Sequence, residues 1–164
     1  MLQVLQKKGF ERVLKFVKPG VIEYEIEAEL THEFLINGSR GHSYEPIIAS
    51  GKNACVLHYV INDKVCKDGE LILMDFGAEY AGYASDMTRC VPVNGRFSPR
   101  QKEVYNAVLR VFYLVKKNLR PGKILRENLK ECQEAIEKEC VDLGFSCFIN
   151  FSRLAINSLL SMGA

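Results

Sequence analysis

A chain of 164 residues, 48% apolar and 26% charged, has the length and balance of an ordinary soluble protein with one real core. A net charge of +2, with no basic run interleaved with aromatics, gives no case for nucleic acid. No stretch is apolar for long enough to span a bilayer, which leaves no case for a membrane partner either.

Phe10, Val13, Leu14 and Val17 follow the i, i+3, i+4, i+7 pattern of an amphipathic helix, and Lys18-Pro19-Gly20 stops it. Met1 to Gly9 has no long apolar core, so no leader peptide is expected. Ile22, Ile26, Leu30 and Phe34 recur every four residues with Glu23, Glu25, Glu27 and Glu29 between them, a second helix closed by Asn37-Gly38. His32 falls on its polar flank and reads as surface.

Residues 39–68 are expected to be looped and strand-bearing. Pro46 to Gly51 suggests one short strand and Val56 to Ile61 another, with turns at 62–64 and 67–69. His58 would then lie on a buried strand between Leu57 and Tyr59, where a histidine is more often a hydrogen-bonded core residue than a reactive one.

Leu71 to Met74 and Ala84 to Val91 predict a β-hairpin about Tyr80, Ala81 and Gly82, the glycine supplying a positive φ. Asp75 and Asp86 lie within its arms. With Tyr80 and Ala81 in the loop they face each other directly; with Ala81 and Gly82 there, they form a diagonal pair on one face. Opposed residues have Cβ atoms roughly 5 Å apart. Two carboxylates so close repel and lose hydration, a conflict that a shared proton or a cation resolves. Oxygen ligands suit manganese, magnesium or calcium, with cobalt or zinc if a histidine joins. The alternative is that both aspartates cap turns or pair with Arg89 and Lys52.

Ser98-Pro99-Arg100-Gln101 combines an N-cap serine, proline at N1 and a capping-box glutamine ahead of the apolar run Val104, Val108, Val111, Phe112 and Val115. This third helix ends at 119–122. Leu125, Leu129, Cys132, Ile136, Cys140 and Leu143 mark a fourth, with Gly144 as its stop. Six scattered cysteines with no CxxC pair favour reduced thiols in a cytoplasmic setting. A helix, a basic residue with Pro-Gly, and another helix thus occur at 10–37 and again at 99–143. Residues 145–164 hold one arginine and no acid, so the repeat reads as cut short, with domain-like sequence over 1–144 and an atypical tail over 145–164.

Three motifs in order, Ile47 to Tyr59, Asp75 to Arg89 and Pro92 to Ser98, closely resemble the aminopeptidase P (Xaa-Pro aminopeptidase) group of metallopeptidases over roughly residues 5 to 144. The resemblance implies an α+β pita-bread (creatinase/aminopeptidase) fold, of which this sequence carries the first αβ half plus the helix pair of the second. It implies a divalent metal cofactor, commonly two manganese ions, with Asp75 and Asp86 at inherited ligand positions. His58 matches a histidine beside the substrate that assists proton movement or holds the peptide, here one with proline at the second position. Three further ligands of the family, a His and two Glu, have no counterpart; none of His32, His42, Glu137 or Glu139 sits in the right context. The expected function is therefore removal of the residue ahead of proline, with an incomplete metal site, weak metal binding and little turnover by this chain alone. The other reading is a non-catalytic pita-bread fragment that binds a partner or itself as a homo-oligomer.

Overall fold

The computed structural model describes residues 1–145, and the chain divides into two units at Phe97 and Ser98. In the first unit, α1 (Leu2–Phe16) starts well ahead of its predicted stripe and buries Leu5, Gly9 and Val13, an i, i+4, i+8 row. Pro19 cannot continue a helical hydrogen-bond ladder, and Gly20 reverses the chain at φ 97°. α2 (Glu23–Ile36) then packs back on α1, with Ile26, Leu30 and Phe34 fully buried. The helices approach closely because Gly9 has no side chain: a Cβ there would lie 2.8 Å from Cε1 of Phe34. Arg12 joins them at the rim, binding Glu29 at 2.5 Å and Glu33 at 3.4 Å.

Two antiparallel three-stranded sheets complete the unit. One has the order β2 (Ile47–Ser50), β3 (Leu71–Phe76), β6 (Met87–Pro92); the other has β1 (Gly41–His42), β4 (Ala78–Tyr80), β5 (Tyr83–Ala84). β3 alternates as a half-covered strand should. Ile72, Met74 and Phe76 are fully buried in the core with Ile48, Leu30 and Phe34, while Leu71, Leu73 and Asp75 are half-buried on the other face. Phe76 has the rings of Phe34 and Phe10 at 6.3 and 6.5 Å.

Two expectations fail here. The strand predicted over Val56 to Ile61 does not form. A 3-10 turn (Gly51–Cys55) leads into irregular chain in which His58 and Asn62 take φ of 53° and 49°. Only Tyr59 and Asn62 turn inward, and Val56, Leu57 and Ile61 remain exposed. Side-chain bonding overrides β-propensity at this place: Asn62 sits where a neighbouring strand would run. Its Oδ1 accepts from the Ile48 N–H at 2.9 Å, and its Nδ2 donates to the Pro46 carbonyl at 2.9 Å and to Glu27 at 2.8 Å. The second correction concerns Glu23, predicted among the polar positions of α2. It is 0% exposed, with the chain wrapped around its carboxylate.

The second unit shows the predicted helix pair, α3 (Pro99–Asn118) and α4 (Leu125–Asp142). Ser98 accepts from the Gln101 N–H at 3.2 Å, and the Gln101 side chain accepts from the Ser98 N–H at 2.8 Å, a full capping box. Gly122 at φ 85° repeats the role of Gly20, so the helix–Pro-Gly–helix repeat read from sequence is present in both units. Arg110 holds Glu139 with two hydrogen bonds, and Asn118 and Lys123 both hold Glu131. The apolar stripe of α3 is wider than this pairing covers: Ala107 and Val111 are buried, whereas Val108 and Phe112 are 64% and 48% exposed. The expectation of an atypical tail concerns residues that lie, apart from Phe145, outside those described. Among the described residues no helix is long and apolar enough to cross a membrane.

His42 on β1 meets the Phe34 ring edge-on at 5.2 Å. The Thr31 hydroxyl donates to the Glu27 carbonyl at 2.9 Å, so His42 Nε2 is the donor in its 2.8 Å bond to Thr31. Nδ1 is buried with no partner among the described residues. Burial lowers the His42 pKa from its ordinary 6.5, and Glu27 offsets this in part. The unfolded chain therefore takes up the proton first. His42 stability is fully present above about pH 6.5 and is lost as pH falls toward the lower folded value. Urea unfolding across pH 7 to 5 should show stability declining with acid, and His42→Asn should flatten that slope. An equal slope in the variant would contradict this assignment.

Candidate functional site

The hairpin turns at Ala81 and Gly82, with φ of 54° and 81°, between the paired Tyr80 and Tyr83. This is the two-residue turn whose twist suits flanking strands. The same register carries back to β3 and β6, where Asp75 pairs with Thr88 and Phe76 with Met87. Asp86 is thus diagonal to Asp75, the second of the two arrangements expected. Gly77 lets the arms close between them, since a Cβ there would overlap the Ser85 carbonyl and the Ser43 hydroxyl oxygens.

The residue that joins the aspartates is one the sequence reading missed. Tyr44 donates its hydroxyl to Asp75 Oδ1 at 2.6 Å, with Asp86 Oδ1 at 3.2 Å from the same oxygen. One O–H serves mainly the nearer carboxylate. Tyr44 arrives there through a bulge: His42 pairs with Ala78 and Ile47 with Asp75, so four residues, 43–46, face only residues 76 and 77. The extra length swings Tyr44 over the sheet. Burial, and then the adjoining Asp75, hold its phenol well above the usual tyrosine range, which keeps it a donor.

Arg89 donates to the Thr88 carbonyl at 2.7 Å, and neither it nor Lys52 pairs with an aspartate among the described residues. The arrangement is two oxygen-bearing carboxylates converging on one proton donor, with Asp75 half-buried and Asp86 exposed. A hard divalent cation fits that donor set. Yet no group of three or more His, Cys, Asp or Glu able to hold a metal occurs among the described residues. Two carboxylates by themselves are too few donors for a complete shell.

His58 makes no hydrogen bond or ion pair with either aspartate. Contrary to the expected buried strand, it lies exposed in a turn, with no hydrogen bond or ion pair among the described residues. Tyr59 beside it is buried and donates to Glu23 Oε2 at 2.8 Å; burial and then that bond raise the Tyr59 phenol to about 12. His32 is exposed on α2, as expected.

The model of metallopeptidase family M24 matches residues 3–156. This chain belongs to that family. It is 41% identical over 133 residues to an Xaa-Pro aminopeptidase of Escherichia coli, covering 81% of this chain and 30% of the relative. It is 42% identical over 123 residues to an Xaa-Pro dipeptidase of Rattus norvegicus, covering 72% and 25%. The structure of Pseudomonas aeruginosa aminopeptidase PepP superposes with a TM-score of 0.83 at 41% identity, over 85% of this chain and 32% of that one. Zinc-substituted E. coli aminopeptidase P in complex with product gives 0.84 at 37% identity, over 94% and 35%. The chain spans about a third of the length of these relatives, and its fold is a partial pita-bread fold.

Removing the bridging hydroxyl with Tyr44→Phe should lower the unfolding free energy of the metal-free chain by about 1–2 kcal/mol, since a charge-assisted hydrogen bond is lost between like charges. Urea titration in the presence of a chelator measures it. An unchanged midpoint would show that the bridge contributes nothing.

Proposed function

We propose that this chain carries part of the active site of a metal-dependent peptidase that releases the residue ahead of proline, with Asp75 and Asp86 as metal ligands. The observation that carries the reading is the convergence of both carboxylates on the Tyr44 hydroxyl, at 2.6 and 3.2 Å, within a family of metallopeptidases. The named relatives act on Xaa-Pro bonds, which supports a peptide with proline second as substrate. Manganese is our choice of metal, as a hard cation suited to carboxylates. Five described cysteines are free thiols, which supports a cytoplasmic setting.

When bound, a divalent cation polarises a carbonyl and lowers the pKa of water. The residues of this chain have simpler tasks. Asp75 and Asp86 hold the ion from one face of the hairpin, and Tyr44 keeps Asp75 oriented by donating to it. In this reading the exposed imidazole of His58 would hydrogen-bond a peptide carbonyl or the leaving imino nitrogen, as the family resemblance implies. Two carboxylates alone leave the shell short of ligands, and no described glutamate joins them as general base. Acting alone, this chain should bind metal weakly and turn over little or nothing. A binding role without catalysis is the second reading, favoured by that same shortage, and such a role admits a homo-oligomer.

Mn²⁺ binding followed by electron paramagnetic resonance, beside hydrolysis of an Xaa-Pro peptide, tests the reading. We expect one weakly held ion, lost in Asp75→Ala, with hydrolysis near background. Tight binding of two ions with full turnover by the monomer would contradict the ligand count. Binding unchanged in Asp75→Ala would overturn the ligand assignment.

A further inference from the structure

His58 lies in the left-handed backbone region, which residues with a side chain adopt uncommonly. A side chain with φ of 53° crowds the following carbonyl, and such residues persist where their surroundings over-determine them. Here the chain that follows it is pinned twice. Directly after it, Tyr59 drives its hydroxyl into the core to meet Glu23 Oε2 at 2.8 Å. Four residues on, Asn62 is fixed by Ile48, Pro46 and Glu27. Between these anchors Val60 and Ile61 are exposed, as are Val56 and Leu57 before them. The segment therefore touches the core at Tyr59 and Asn62 and carries His58 on the outside.

Glu23 is far better bonded than a helix-start glutamate needs to be. Oε1 accepts from the Ser50 N–H at 2.6 Å, from the Ser50 hydroxyl at 2.7 Å and from Asn53 at 3.5 Å. Oε2 accepts from Tyr59 and from the Lys64 N–H at 3.1 Å. The donors come from both ends of the segment 50–64 and from Tyr59 within it. The ammonium of Lys64 is engaged instead by the Ser50 carbonyl and Glu70. One carboxylate thus ties the segment's two ends and its middle to the first turn of α2.

We propose that Glu23 is a positioning residue for His58, acting through the Tyr59 hydroxyl to hold the His58 backbone left-handed, which keeps its side chain on the solvent side. The proposal rests on the reading of His58 as a peptide-contacting residue only for its purpose; the positioning itself is measurable without substrate.

The test uses the whole chain and two variants, Tyr59→Phe and Glu23→Gln, with nuclear magnetic resonance of the His58 Cα and Cβ. The unaltered chain should show left-handed Cα and Cβ shifts at His58. In Tyr59→Phe, which removes a single oxygen and leaves the ring in place, both should move toward random-coil values. A second measurement separates positioning from packing. His58→Gly relieves the constraint, so it should raise the unfolding midpoint in the unaltered background, and this gain should vanish in Tyr59→Phe. If Glu23→Gln does not fold, Tyr59→Phe carries the decision. His58 shifts unchanged in folded Tyr59→Phe, or an equal gain from His58→Gly in both backgrounds, would overturn the proposal. Failure of the peptidase reading would show instead as absent peptide binding in every variant, with these signals unaffected.

Discussion

The Glu23 carboxylate is the constraint on which the first unit depends. It stands at the first residue of α2, where the helix dipole favours negative charge, and is removed from water completely. A buried charge is tolerated only when its hydrogen-bonding capacity is filled, and here neutral donors fill it. Filling it decides the course of the chain. Ser50 ends β2 against it, Tyr59 turns inward to reach it, and Lys64 passes beside it before residues 64–66 pair with 20–23. A segment with the β-propensity of Val56 to Ile61 is held by this acceptor as an irregular loop.

A second constraint shapes the acidic face. The bulge at 43–46 and the missing side chain at Gly77 are complementary: one brings Tyr44 across the sheet, the other lets the hairpin arms close beneath it. Neither aspartate is strained by its backbone. Their proximity follows from the turn at Ala81 and Gly82, whose register passes without slip from β4–β5 into β3–β6. Local turn chemistry thus sets the spacing of two carboxylates several residues away.

Much of this was legible in the sequence because it depends on local signals. The helix rows, the Pro-Gly reversals, the capping box at Ser98 and the sharing of one hairpin face by Asp75 and Asp86 follow from spacing and turn residues, while only the structure decides between direct and diagonal pairing. What was not legible depends on partners distant in the chain. Glu23 looks like any charged residue of an amphipathic helix until Ser50, Tyr59 and Lys64 close over it. Val56 to Ile61 reads as a strand because propensity cannot anticipate Asn62 occupying the edge of β2. Tyr44 carried no periodic signal, although a bulky polar residue just ahead of a short strand could have prompted a search for its acceptor. The wide stripe of α3 was read correctly as apolar, but Val108 and Phe112 stay exposed among the described residues.

Native-state hydrogen exchange at the Ser50 and Lys64 amides tests the central claim most directly. Both donate to Glu23 from segments outside regular helix. If the buried carboxylate organises the unit, these amides should be protected as strongly as those of β3 and should exchange only when the whole unit opens. Exchange as fast as at the exposed residues 56–58 would mean that the carboxylate does not hold the segment.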